Sequence, residues 1–298
     1  MVIRRLSGRV VELSTVWVSA NMRPRRNRRK GSTSAQKQDA NERDCVKRLA
    51  RVINCNFSHG DLLLTPKYDE AGMARLTAWA AQHQGEGQSW EDALLDAAER
   101  EGRNYMRRLG RALNRQGAEL RYILITSDID GETGEAVRLH HHIIIPRVGY
   151  ELAARLWPLG TVDYQILRAQ DDYTPLAEYL CRQVRRRPDS KKYTSSRNLK
   201  KPIVNERWAR PGEELKPDRD GLLLHRGEWE PGKPQYIRFV KGGRNRSGKP
   251  HAAQPPERDS GKRGGERREL SDPTGRARTG TGGTSAGNSG GGGGIRGA

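Results

Sequence analysis

The residues best suited to chemistry fall in two short stretches. The first is Leu139-His140-His141-His142-Ile143-Ile144-Ile145-Pro146. In an extended strand successive side chains alternate faces, so His140 and His142 project on one side while Leu139, Ile143 and Ile145 lie on the other. Two neutral imidazoles sharing one small volume can hold a divalent cation over a substrate. A polar turn entering a buried strand is the plainer alternative, and it would be favoured for a lone histidine.

The second stretch opens at Thr174-Pro175, a hydroxyl at the N-cap followed by proline in the first turn, and predicts a helix to about Arg187, just before Pro188. Leu176, Leu180 and Val184 repeat every four residues and form its apolar stripe. Tyr179, Arg182, Gln183 and Arg186 form an adjoining polar stripe. Guanidiniums beside a tyrosine favour its phenolate and can grip a phosphate next to it. Taken alone, the pattern also fits an ordinary amphipathic helix whose tyrosine straddles core and solvent.

Together the two motifs resemble the HUH endonucleases, specifically the rolling-circle replication initiators of small bacterial plasmids and phages. In that family a strand carries His-hydrophobic-His, and a later helix carries a nucleophilic tyrosine, often followed three residues on by lysine. Here the counterparts are His140-His141-His142 and Tyr179 with Arg182, and Leu62-Leu63-Leu64-Thr65 matches an upstream Leu- and Thr-rich strand. The resemblance spans roughly residues 57 to 202. The chain departs from the pattern in the polar His141 and in Arg182, which can clamp phosphate but cannot deprotonate to act as a general base.

The resemblance implies an α+β fold, HUH/ferredoxin-like, with a central antiparallel sheet and helices mainly on one face. It implies an origin-specific nicking and rejoining reaction on single-stranded DNA, with host helicase and polymerase as further partners. Mg²⁺ or Mn²⁺ would be held by His140, His142 and a third donor, either Gln183 one turn after the tyrosine or an acid such as Asp128. Tyr179 would be the nucleophile, and Arg182 and Arg186 would hold the phosphate. A transposase or mobilisation relaxase would use the same chemistry. A non-catalytic DNA- or RNA-binding protein would account for the charge without any reaction.

The surrounding elements must position these groups. Residues 120–126 predict a strand, Asp130 to Gly134 a turn, and the histidine segment its hairpin partner, so Asp128, Asp130 and Glu132 fall near the histidines. Residues 39–54 and 90–116 show helical spacing, residues 149–157 predict a short helix, and Leu62 to Thr65 and Val162 to Leu167 predict strands. β-Branched residues over 3–18 suggest short strands or a hairpin, and Leu222 to His225 with Gln235 to Val240 a closing hairpin.

Two segments have the composition of phosphate-contacting loops. One is the arm bearing Arg25, Arg26, Arg28 and Arg29, and the other is the stretch with Arg197, Lys200 and Lys201. The chain thus divides into N-terminal strands, arm and helix over 1–56, an endonuclease domain over 57–210, a closing hairpin over 211–241, and a glycine- and arginine-rich tail over 242–298 that predicts disorder. Within the tail, Gly243 through Lys249 matches a phosphate-loop spacing, but Pro250 replaces the required hydroxyl.

The 298 residues carry 55 Lys and Arg against 36 acids, a net charge of +19 that points to a polyanionic partner. Mean hydropathy is -0.90, so the core must be modest. Cys45, Cys55 and Cys181 form no metal-type pair and no even framework, and no apolar run reaches the length of a membrane span. A cytoplasmic protein that does not enter the membrane is the expectation.

Overall fold

The computed structural model describes residues 1–18, 35–185, 187, 191–228, 230 and 233–242. Arg25, Arg26, Arg28, Arg29, Arg186 and the tail from residue 243 onward, with the expectations placed on them, lie outside the described residues.

The histidine segment lies in an α+β framework with two antiparallel sheets. One sheet is assembled from β3 (Leu62–Pro66), β4 (Ile123–Ile129), β5 (Ala136–Ile145), β6 (Val162–Ile166) and β7 (Thr194–Ser195), in the order β6-β3-β5-β4-β7. The histidine strand β5 is therefore its middle strand. The register of Leu62 to Ile145 and Leu63 to Ile144 on one side, and of Ile125 to His142 and Ser127 to His140 on the other, fixes which residues share a face.

The run Ile143-Ile144-Ile145 is apolar on both sides of the strand, so both faces of the sheet need covering. Helices α2 (Glu70–His83), α3 (Trp90–Asn114) and α4 (Tyr150–Arg155) cover the face of Leu64, Leu124 and Ile143. Helices α1 (Ala35–Asn56) and α5 (Thr174–Arg182) cover the face of Leu63, Ile125 and Ile144. The expected arrangement, with helices mainly on one face, is thus corrected to a sheet buried on both.

The other sheet joins β1 (Val2–Ser7), β2 (Val10–Thr15), β8 (Ile203–Arg207), β9 (Gly221–Arg226) and β10 (Tyr236–Lys241), in the order β8-β1-β2-β10-β9. Val2, Val11, Leu13, Ile237 and Phe239 pack on one face with Leu215. The opposite face meets α1, where Arg51 makes two hydrogen bonds to the buried Glu12 carboxylate, of 2.5 and 2.9 Å. Because this sheet draws strands from both ends of the described chain while α1 belongs to the histidine sheet, the boundaries placed at residues 56 and 210 do not separate the two sheets.

Helix α2 was not anticipated, although Asp69 marks its start by accepting a 2.6 Å hydrogen bond from the Gly72 amide. Helix α5 ends at Arg182 rather than near Arg187. Beyond it Arg185 pairs with Asp92 and Asp128, and Arg187 with Asp96 and Glu99. Reaching those acids requires the chain to leave the helical path. Its start also differs: the N-cap is Tyr173 without a side-chain cap, and Asp172 just before it accepts from both the amide and the hydroxyl of Thr174. Among the described residues no helix is long and apolar enough to cross a membrane.

Candidate active site

Strand alternation sorts the three histidines. His140 and His142 stand on the face covered by α1 and α5, and their Nε2 atoms lie 3.1 Å apart with the rings edge to face. His140 Nδ1 lies 2.9 Å from the Arg138 carbonyl oxygen. A carbonyl only accepts, so this nitrogen carries the proton and the Nε2 of the neutral ring keeps its lone pair. Burial, opposed by that carbonyl contact, lowers the His140 pKa. Burial and then the neighbouring His140 push His142 down to about 3. Both rings are therefore neutral near pH 7, the form that ligates metals.

The geometry of the pair fits a cation. Two nitrogens each about 2.1 Å from one ion and at about a right angle to each other are separated by about 3 Å. His142 Nδ1 is buried without a hydrogen-bond partner.

Tyr179 lies on this same face. Its ring packs edge-on against His142 with centroids 5.7 Å apart. Tyr173, six residues earlier, is buried and donates its hydroxyl to the Arg168 carbonyl at 3.0 Å, so it packs the entry to the helix.

At the far end of α5, the Gln183 amide donates to the Tyr179 carbonyl at 3.3 Å, and the buried Gln183 side chain accepts from the Gly131 amide at 3.3 Å. The β4–β5 turn is thereby tied to the end of the tyrosine helix. The approach is close: a Cβ on Gly131 would lie 2.7 Å from Gln183 Nε2 and 3.0 Å from the Arg182 carbonyl carbon.

Asp128 occupies the irregularity in β4 between Ser127 and Ile129. One of its oxygens pairs with Arg185 at 3.1 Å, and the other is buried without a hydrogen bond. Among the described residues no three His, Cys, Asp or Glu side chains are grouped to hold a metal, so Asp128 does not complete a set with the histidines. The two imidazoles are the donors whose spacing fits an ion, while the Gln183 oxygen is engaged by the Gly131 amide and Asp128 keeps one buried oxygen without a hydrogen bond.

Four of the cations predicted to touch DNA lie at the surface. Arg182, Arg197, Lys200 and Lys201 are exposed. The loop holding the last three is pinned to α1 by Asn56, whose side chain bonds the Lys200 amide at 2.7 Å and its carbonyl at 2.9 Å. Leu199 packs into the same core as Tyr179, so this loop borders the face that carries the candidate site.

His141 has a separate task that its sequence context does not reveal. It is fully buried on the opposite face, with Nε2 2.7 Å from the Tyr68 hydroxyl and Nδ1 3.0 Å from the Thr126 hydroxyl. Gly102 of α3 makes room for it, since a Cβ there would lie 3.0 Å from the imidazole Cε1. Burial, then the two flanking histidines, push its pKa down to about 3. A polar residue is accommodated at this buried position because two hydroxyls, from β4 and from the segment after β3, supply its partners. Neither Tyr68 nor Thr126 lies in a pattern that would have marked it in advance. Comparison with protein-family models, with curated proteins and with solved structures found no match to this chain.

Proposed function

We propose that the chain nicks and rejoins single-stranded DNA through a tyrosyl ester, as a rolling-circle replication initiator does. The observation that supports this most is the meeting of three groups from separate elements: the converging Nε2 atoms of His140 and His142, with the Tyr179 ring against His142. A protein that only binds nucleic acid does not need that convergence.

In this reading His140 and His142, with Gln183 as the third donor, hold Mg²⁺ or Mn²⁺. The bound ion supplies Lewis-acid polarisation and charge neutralisation at the scissile phosphate. The Tyr179 oxygen attacks phosphorus in line, the bond to the leaving 3′ oxygen breaks, and that oxygen takes up a proton. The products are a 5′-phosphotyrosyl enzyme and a free 3′-OH. Because the ester preserves the phosphodiester bond energy, rejoining needs no nucleotide triphosphate. Exposed Arg182 clamps the phosphate as a permanent cation, and Arg197, Lys200 and Lys201 follow the flanking backbone.

The test is to incubate the full chain with Mn²⁺ and an end-labelled pool of single-stranded oligonucleotides, and to score a covalent protein–DNA species after denaturation. The wild type forms it and Tyr179→Phe does not, while salt-sensitive DNA binding by Tyr179→Phe persists. An undiminished adduct in Tyr179→Phe, or none from the wild type across the pool, overturns the reading.

A further inference from the structure

Among the described residues the two most exposed large apolar side chains are indoles, and both leave the second sheet at the same end. Trp17 and Trp208 are each 74% exposed, whereas Trp79 and Trp157 pack into or against a core. Thr15 of β2 and Arg207 of β8 both lie opposite Val2 of β1, one on either side of it. Trp208 follows Arg207 directly and Trp17 lies two residues beyond Thr15, so the indoles leave chains that are about 10 Å apart, two inter-strand spacings. Neither indole hangs from a loose end. The Val16 amide donates to the Met1 carbonyl at 2.9 Å, which carries the β1–β2 pairing past Thr15. The Arg207 guanidinium donates to the Trp208 carbonyl at 3.1 Å and to Glu213 at 2.8 Å, and Glu213 also accepts from the Arg210 amide at 2.9 Å, which braces the turn after Trp208. Neither indole joins the core of this sheet. Two indoles left in water on fixed backbone mark a binding surface.

The surroundings favour a nucleic-acid strand over a second copy of the chain. β8 is a short edge strand that follows Pro202 and carries Glu206 and Arg207, features that blunt an edge against pairing. The chain has a net charge of +19, and residues 23–30, which begin six positions after Trp17, hold six cations and no acid. The ligand class that matches both features is a polyanion with flat apolar faces, single-stranded nucleic acid. Beside the indoles, Arg207 and Arg210 are balanced by Glu206 and Glu213, so what this surface adds is stacking rather than charge. We propose that Trp17 and Trp208 form a base-stacking platform for single-stranded DNA, on the second sheet and apart from the histidines of the first. The inference rests on the proposed function for the class of nucleic acid and needs none of its chemistry. A duplex keeps its bases stacked on one another, so the platform discriminates in favour of single strands.

The test is fluorescence anisotropy of the full chain, in chelator, with labelled mixed-sequence single strands and with the corresponding duplexes. Trp17→Leu and Trp208→Leu should each weaken single-strand binding roughly five-fold or more, and Trp17→Phe and Trp208→Phe by less, because a phenyl ring still stacks. Duplex affinity and the slope of log affinity against log salt should stay at their wild-type values, because no phosphate contact is removed. Wild-type affinity in the chain carrying both Trp17→Leu and Trp208→Leu overturns the proposal. Equal losses for the leucine and phenylalanine variants, or for single strands and duplexes, overturn it too. A double variant that keeps its affinity but changes from dimer to monomer in sedimentation assigns the indoles to a contact between copies instead. Chelator suppresses the nicking chemistry, so an absence of tryptophan dependence leaves the Tyr179 reading standing, whereas a wild type that binds no single strand overturns both.

Discussion

His140 and His142 face each other through Nε2 atoms 3.1 Å apart, while His140 Nδ1 is committed to the Arg138 carbonyl. A cation accepted between them would bind the folded chain and not the unfolded one. Mn²⁺ at about one hundred times its dissociation constant therefore adds about 2.7 kcal/mol of stability, visible as a rise in melting temperature. His140→Ala and His142→Ala should each remove that rise. A Mn²⁺-dependent rise of equal size in either variant would place the ion elsewhere.

The third donor can be decided by comparing two variants. Asp128 gives one oxygen to Arg185 and buries the other without a hydrogen bond, whereas Gln183, whose oxygen accepts from the Gly131 amide, follows Tyr179 by one turn. Gln183→Leu should therefore weaken Mn²⁺ binding by ten-fold or more, and Asp128→Asn by less, measured by titration of the thermal shift. The reverse order would transfer the role to Asp128.

Gly131→Ala tests whether the turn sets the position of the tyrosine helix. The added methyl would lie 2.7 Å from Gln183 Nε2 and 3.0 Å from the Arg182 backbone, so the turn and the end of α5 must separate. Displacements of about 1 Å near reacting groups can cost about 100-fold in rate. Adduct formation by Gly131→Ala should fall at least ten-fold, with circular dichroism and DNA affinity little changed. Full activity would show that the contact does not position the reaction.

The buried His141 predicts an acid limb of stability. Its ordinary pKa of 6.5 is pushed to about 3 by burial, so in the folded chain it stays neutral where the unfolded chain takes up a proton. Stability then falls as pH drops from about 6.5 towards 3, by about 1.4 kcal/mol per pH unit for each such histidine. His141→Leu removes one of these protons but leaves the Tyr68 and Thr126 hydroxyls without their partner. At pH 7 it should cost about 1–3 kcal/mol. The gap to wild type should narrow by pH 4.5, in urea titrations run with chelator. A gap that stays constant with pH would show that His141 takes up its proton as readily in the folded chain as in the unfolded one.

The elements around the site were largely legible from spacing. The histidine strand, its partner β4, the turn from Asp130 to Gly134 and the apolar stripe of α5 follow from alternation, turn residues and four-residue repeats. What spacing could not supply were contacts between distant segments. Arg185 and Arg187 end α5 early because Asp92, Asp96 and Glu99, some ninety positions earlier, draw them away. The burial of His141 depends on Tyr68 and Gly102, and nothing local to the histidines encodes either. The covering of both sheet faces was implicit in three consecutive isoleucines, but not which helices would supply it.

The contact between α1 and the second sheet includes one buried carboxylate. Glu12 is only 5% exposed and accepts from Arg51 and, at 2.7 Å, from the Tyr236 hydroxyl. Burial alone would raise its pKa, but the Arg51 hydrogen bonds and charge outweigh burial and hold it below 4.5. A carboxyl lowered on folding stabilises the fold above its unfolded pKa, and that contribution is lost as pH falls through the folded value. Arg51→Met would leave the carboxylate buried without its cation, and should cost about 3 kcal/mol or more at pH 7. The cost should shrink below pH 4.5 as Glu12 protonates. Arg207→Met is the comparison, because Arg207 pairs with Glu213 at the exposed surface and its loss should cost less than about 1 kcal/mol. Equal costs for the two variants in urea denaturation at pH 7 would mean that the Glu12 carboxylate is solvated and that the sheets are joined by apolar packing instead.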